Sequence, residues 1–216
     1  MSTWISKAGL VASVCLALGA CVPGAPLLSG GTATRAIAVS GGAVVVTGPQ
    51  GYCIDRSAVR DRPDAAFVLF GTCAALSGSA SAGQPARPAL LTAAVLPNAP
   101  EAPALAASFP VLAAFFRSAP GRAALSRSGK GEAVEVLDVT SKDDVLFLHV
   151  KDSSAATGPA VDADYWRAVL ALRGRMVTLS ALGLKDRPLS SSEKRRVLEA
   201  LVAQMRAANA GPGPAG

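Results

Sequence analysis

Few residues in this chain have types and spacings that could do chemistry. The single histidine, His149, sits in the run VLFLHVKD, Val145 to Asp152. Nucleophilic catalysis of the triad kind needs such a base oriented by a carboxylate. Carboxylates pair at Asp143-Asp144 and at Asp162 and Asp164. An exported enzyme using His149 with a carboxylate is one reading; a packed or solvated strand histidine is the plainer one, and no catalytic residue is assigned. Tyr165, Trp166 and Arg167 bring aromatic and cationic groups together. Alternation sends Trp166 to the core with Leu170 and leaves Tyr165 and Arg167 as a candidate binding patch. A phosphate loop needs G-x-x-x-x-G-K-[ST], but Ala124 and Gly131 occupy two required positions around Gly129-Lys130. No nucleophile elbow, G-x-S-x-G in a strand-to-helix setting, is found. Neither carboxylate pair has the ligand count or repeat of a calcium loop. No metal and no cofactor is expected.

The sulfur chemistry is more specific. Lys7 is followed by thirteen apolar or small residues, Ala8 to Ala20, too few for a span, which needs ~20, and suited to a secretory signal. The run ends in Leu18-Gly19-Ala20-Cys21, which resembles the lipobox of bacterial lipoproteins. The resemblance implies a diacylglyceryl thioether on Cys21, cleavage before it and acylation of the new amine. Two acyl chains hold a protein stably where one does not. Val22 stands where an aspartate would favour inner-membrane retention, so the outer membrane is slightly favoured. The alternative is an ordinary cleavable signal ending at Gly19-Ala20.

If Cys15 leaves with the leader and Cys21 is lipidated, Cys53 and Cys73 remain. An exported compartment permits disulfides, and a pair without C-x-x-C spacing reads as a structural bridge. The formal net charge is +6 from 21 cations and 15 acids, and losing Lys7 brings it to about +5. The cations are scattered and aromatics make up only 5% of residues, so a nucleic-acid partner is not expected. The expected partners are the membrane, through the anchor, and an envelope protein.

The elements follow from periodicity. Residues 1–20 read as signal peptide, 21–34 as a flexible tether, 35–209 as a single globular domain and 210–216 as a disordered tail. Val44-Val45-Val46-Thr47, AAFVLFG at 65–71 and ALLTAAVL at 89–96 read as strands. The low-complexity stretch 77–88 reads as a mobile loop. A helix is expected after Pro110, which suits a first turn. AVEVLDV and VLFLHVKD are strands joined by TSKDD, and 165–184 is a hairpin turning at Gly174. The last helix opens at Ser190 with a Ser-x-x-Glu capping box and carries the stripe Val197, Leu198, Leu201, Val202 and Met205.

The expected fold class is therefore α+β: an antiparallel sheet packed against a C-terminal helix, with a disulfide-stapled N-terminal strand region. The order of strands, loop, hairpin and helix over 132–209 resembles the PsbP-like domains of exported bacterial lipoproteins. That resemblance implies a binding or assembly role and carries no functional residues. The function expected is a lipid-anchored cell-envelope protein facing the periplasm, non-catalytic, with a small-ligand carrier as a further alternative to the enzyme.

Overall fold

The computed structural model describes residues 33–97, 105–154 and 161–211. The leader, Cys21 and most of the tether lie outside them. In the N-terminal half the strands are β1 (Ala33–Thr34), β2 (Ala36–Val39), β3 (Val44–Thr47), β4 (Tyr52–Asp55), β5 (Arg60–Asp61), β6 (Ala66–Thr72) and β7 (Ala89–Leu96). A short helix, α1 (Cys73–Ser77), follows β6. Two further helices, α2 (Phe109–Arg117) and α3 (Ala119–Leu125), lead into β8 (Val134–Lys142), β9 (Val145–Asp152), β10 (Val161–Leu172) and β11 (Arg175–Leu184). The chain then enters α4 (Ser191–Ala208).

Among the described residues, nine strands join one sheet in the order β1-β4-β6-β7-β11-β10-β9-β8, with β5 paired to β6. Two tight turns set its C-terminal half. Arg173 and Gly174 take φ of 52° and 68°, and Asp143 and Asp144 take 49° and 57°. Turns with both central residues left-handed match the twist of flanking antiparallel strands. Asp143 and Asp144 alone make the turn, so β8 runs on through Thr140, Ser141 and Lys142, which the sequence reading had placed in the connection.

Alternation then builds two cores on one sheet. One face gathers Phe70, Leu91, Val95, Phe147, Trp166, Leu170 and Leu179 beneath α4 and the β2–β3 hairpin. The other gathers Leu148, Val150, Tyr165, Val169 and Leu182 beneath α2 and α3. Helix α4 begins with the expected capping box, Ser190 and Glu193 each satisfying the other's backbone amide. Its stripe, Val197, Leu198, Leu201, Val202 and Met205, is buried. Each such side chain contributes roughly 1.5–3 kcal/mol relative to exposure. Pro110 sits in the first turn of α2, as expected.

The C-terminal end of α4 also closes the N-terminal hairpin. Asn209 accepts from the Val45 amide (2.9 Å) and donates to the Val45 carbonyl (2.8 Å), completing the free edge of β3 as another strand would. No helix among the described residues is long and apolar enough to cross a membrane.

Further strand assignments differ from the sequence reading, which did not include β1, β2 or β5 and gave Ala33 and Thr34 to the tether. β4, only four residues between a turn and a charged stretch, is too short to show a period, yet three of its residues are buried. β10 begins at Val161, not Tyr165, because its register against β11 shifts between Val161 and Tyr165 while its pairing with β9 already starts at Asp164. The stretch 77–88 leaves α1 and is tied back by hydrogen bonds from Ala74 N to Gly83 O (3.1 Å) and from Tyr52 Oη to Arg87 O (2.5 Å).

Cys53 and Cys73 form the disulfide, with an S–S distance of 2.03 Å. It ties β4 to the first residue of α1, just past β6, and β4 and β6 are antiparallel neighbours. The bonded residues are 20 apart in sequence, a loop whose closure stabilises the fold by about 3 kcal/mol in chain-entropy terms. The double variant Cys53→Ala/Cys73→Ala is expected to lose about that much, read as a lower urea midpoint, and added reductant should then leave its midpoint unchanged.

Candidate functional site

The face beneath α4 carries the one concentration of chemistry-bearing side chains that the sequence singled out in part. β9 places His149 beside Trp166 of β10 in the register. The two rings stack, with centroids 4.6 Å apart and planes within 3°. Asp162 and Asp164 alternate with Trp166 along β10 and come to the same side. From above, the first turn of α4 lowers Ser191, Lys194 and Arg195 onto them.

Lys194 is the centre of this group. Its residue exposure is 3%. Its Nζ lies 2.6 Å from Asp164 Oδ1 and 3.3 Å from Asp162 Oδ2, in close contact with both carboxylates. It also donates to the Asp164 backbone carbonyl at 3.0 Å. A buried ammonium left unpaired is strongly destabilising, so the two carboxylates are required where they stand. Gly183 makes room for one of them: a Cβ there would collide with the Asp162 carboxylate.

His149 meets Asp164 Oδ2 through Nε2 at 2.5 Å, and Ser191 Oγ approaches the same nitrogen at 3.1 Å. Ser, His and Asp are thus together, but not as a catalytic relay. A relay uses opposite ring nitrogens, one held by the carboxylate and the other accepting the serine proton. An anionic oxygen 2.5 Å from Nε2 requires a proton on Nε2, so that nitrogen donates and cannot take a proton from Ser191. The serine oxygen is further occupied as the acceptor for Trp166 Nε1 (2.8 Å). Arg195 completes the cluster, its guanidinium 3.6 Å from the Phe147 ring centroid and 4.7 Å from that of Trp166. The chemistry of this group is adhesion: it seats the start of α4 on the sheet.

The candidate patch of Tyr165 and Arg167 is not a surface patch. Tyr165 is only 2% exposed, on the opposite face, and its hydroxyl donates to the Leu125 carbonyl at 2.7 Å, tying α3 to the sheet. Arg167 is half-buried, donates to Ser180 Oγ (3.1 Å) and lies 5.5 Å from the Tyr165 ring. The error came from treating the side opposite Trp166 as solvent when α2 and α3 cover it. Asp143 and Asp144 form the β8–β9 turn, and Cys21 lies outside the described residues.

A second buried carboxylate had no signal in the sequence. Asp152, 0% exposed, accepts from the Arg127 backbone amide (2.7 Å) and Nε (3.2 Å) and from the Ser154 amide (2.9 Å). Three open clefts are lined by described residues, and His149, Asp164 and Ser191 line none of the three.

No family model, no curated protein and no solved structure matches the chain.

Burial pushes the Asp164 carboxyl up, but the contacts from Lys194 and His149 outweigh it and hold the group below the usual carboxylate range. Burial likewise raises Asp152, and hydrogen bonds from Ser154 and Arg127 bring it lower than usual. A depressed folded value contributes stability that is present above the ordinary carboxylate pKa and is lost as pH falls through the folded value. Asp164→Asn should therefore flatten the acid limb of a stability-versus-pH curve while lowering stability at neutral pH. Lys194→Met, which leaves two carboxylates without their ammonium, should cost about 3–5 kcal/mol by urea denaturation. The triple variant with Asp162→Asn and Asp164→Asn should recover part of that loss.

Proposed function

We propose that this chain is a lipid-anchored cell-envelope protein whose folded body, facing the periplasm, is a non-catalytic binding or assembly module. The observation that carries the reading is Leu18-Gly19-Ala20-Cys21 at the end of a short apolar leader. The Cys53–Cys73 disulfide supports it, because such bridges persist in oxidising compartments and are rare in the cytosol. The pattern resemblance of 132–209 to PsbP-like domains points to binding or assembly. In this reading the partners are the membrane and an envelope protein, and the outer membrane is favoured over the inner by Val22.

The closeness of His149, Asp164 and Ser191 favours a second reading, an exported enzyme. The shared nitrogen and the serine's engagement with Trp166 weigh against it. A small-ligand carrier would need an apolar chamber between sheet and α4, and Leu198, Leu201 and Met205, each 0% exposed, fill that space.

The test of the anchor is metabolic labelling of the full chain with radioactive palmitate in a bacterial host. The native protein should carry label and sediment with membranes. Cys21→Ser should carry none and accumulate with its leader attached. Label on Cys21→Ser would sink the reading, as would a mature native protein whose intact mass shows no added acyl groups.

A further inference from the structure

Two of the open clefts adjoin along the loop that follows α1. The larger, about 480 Å³, lies between Arg35 and the segment 81–86. The smaller, about 170 Å³, has Tyr52 and Val197 among its lining residues and is flanked by Arg87 and Arg196. They share Gln50, Pro85 and Ala86, so they are neighbouring parts of one grooved surface. No carboxylate is among the residues lining either.

The groove is held in shape from below. Gly51 has a φ of +83°, and a Cβ there would come within 2.6 Å of the Pro85 backbone nitrogen, so loop and turn are in direct contact. The Gly51 carbonyl accepts from the Cys73 amide at 2.8 Å. Neighbouring Cys53 is in the disulfide, and Tyr52 Oη donates to the Arg87 carbonyl. Its cations are unevenly satisfied. Arg87 pairs with Glu193 at 3.4 Å. Arg35 and Arg196 are exposed and have no carboxylate partner among the described residues. Guanidinium groups in this state are suited to phosphate oxygens, which they can take in pairs.

We propose that this groove docks on the membrane surface, Arg35, Arg87 and Arg196 taking the phosphodiester oxygens of anionic lipid headgroups. The proposal rests on the lipid-anchor reading. Arg35 stands just beyond β1, where the tether enters the fold. The stretch from Cys21 to Ala33 reaches at most ~40 Å when fully extended. The groove is therefore never far from the bilayer that holds the acyl chains. A tether of this kind turns weak surface binding into a high local concentration. Each arginine near an anionic surface contributes about fivefold in affinity, and salt screens the effect.

The experiment uses the full mature protein in lipid nanodiscs, read by amide hydrogen exchange across 81–87. Discs containing phosphatidylglycerol should slow exchange there about fivefold or more relative to phosphatidylcholine discs. The double variant Arg35→Gln/Arg196→Gln, which removes no intramolecular partner, should shrink the difference, and high salt should abolish it. Equal exchange in the two discs overturns the proposal, as does a difference that is undiminished in the variant. Protection in phosphatidylcholine discs by inorganic phosphate or by a polyglutamate peptide, without protection by phosphatidylglycerol, assigns the groove to another ligand and overturns it too. Intact mass of the same sample reports the anchor independently. If the acyl groups are missing, co-sedimentation of the protein with phosphatidylglycerol vesicles still decides whether the groove binds them.

Discussion

A single buried ammonium governs how the last helix meets the sheet. Lys194 lies in the turn of α4 that carries the apolar stripe down onto β9 and β10, so docking the stripe takes the charge out of water. The Coulomb attraction of carboxylates in that setting offsets the desolvation only with close geometry. That requirement explains a local group: two aspartates at alternate positions of β10, a glycine at 183 that leaves one of them room, and a histidine sharing the other. Ser191, Trp166 and Arg195 then fill in around the same point. The residues that stand out by type for catalysis also meet the demands of burying this charge.

The sheet's two covered faces explain why the sequence was readable in some places and misleading in others. The 165–184 hairpin and α4 announce themselves, since each has a long period and a specific turn or cap. Trp166 could be assigned to the core from alternation alone. Tyr165 could not be placed, because alternation separates two faces without saying whether the second is wet. Only α2 and α3, far off in sequence, decide that. β4 was invisible because four residues cannot establish a period. Starting β10 at Tyr165 left Asp162 and Asp164 in a loop and hid the partnership of Asp164 with His149 and of both with Lys194. Lys194 was legible in principle: it falls three and four residues before Val197 and Leu198, on the stripe itself, and a cation on an apolar stripe asks for buried anions. The pairing of Asp152 with Arg127 joins a loop to a strand end and leaves no trace in local pattern.

The disulfide works in a different part of the molecule from the ion cluster. It fastens β4 and α1 near the sheet's end, where strands are short and β1 contributes only two residues. Short edge strands limit unwanted pairing with other chains but contribute little stability of their own. A covalent link to β4 compensates where hydrophobic area is scarce, and the same link steadies the turn at Gly51 against the loop at Pro85. Adhesion at α4 relies on charge and packing; adhesion at the edge relies on sulfur.

The clasp of Asn209 on Val45 joins positions separated by 164 residues. The β2–β3 hairpin therefore lacks its final edge partner until residue 209 has been made. A topology with such distant closures is slow to nucleate, because chain ends must find each other before any contact rewards them. Until Asn209 arrives, the amide and carbonyl of Val45 stand unpaired on that side of β3 and are open to any other strand that reaches them.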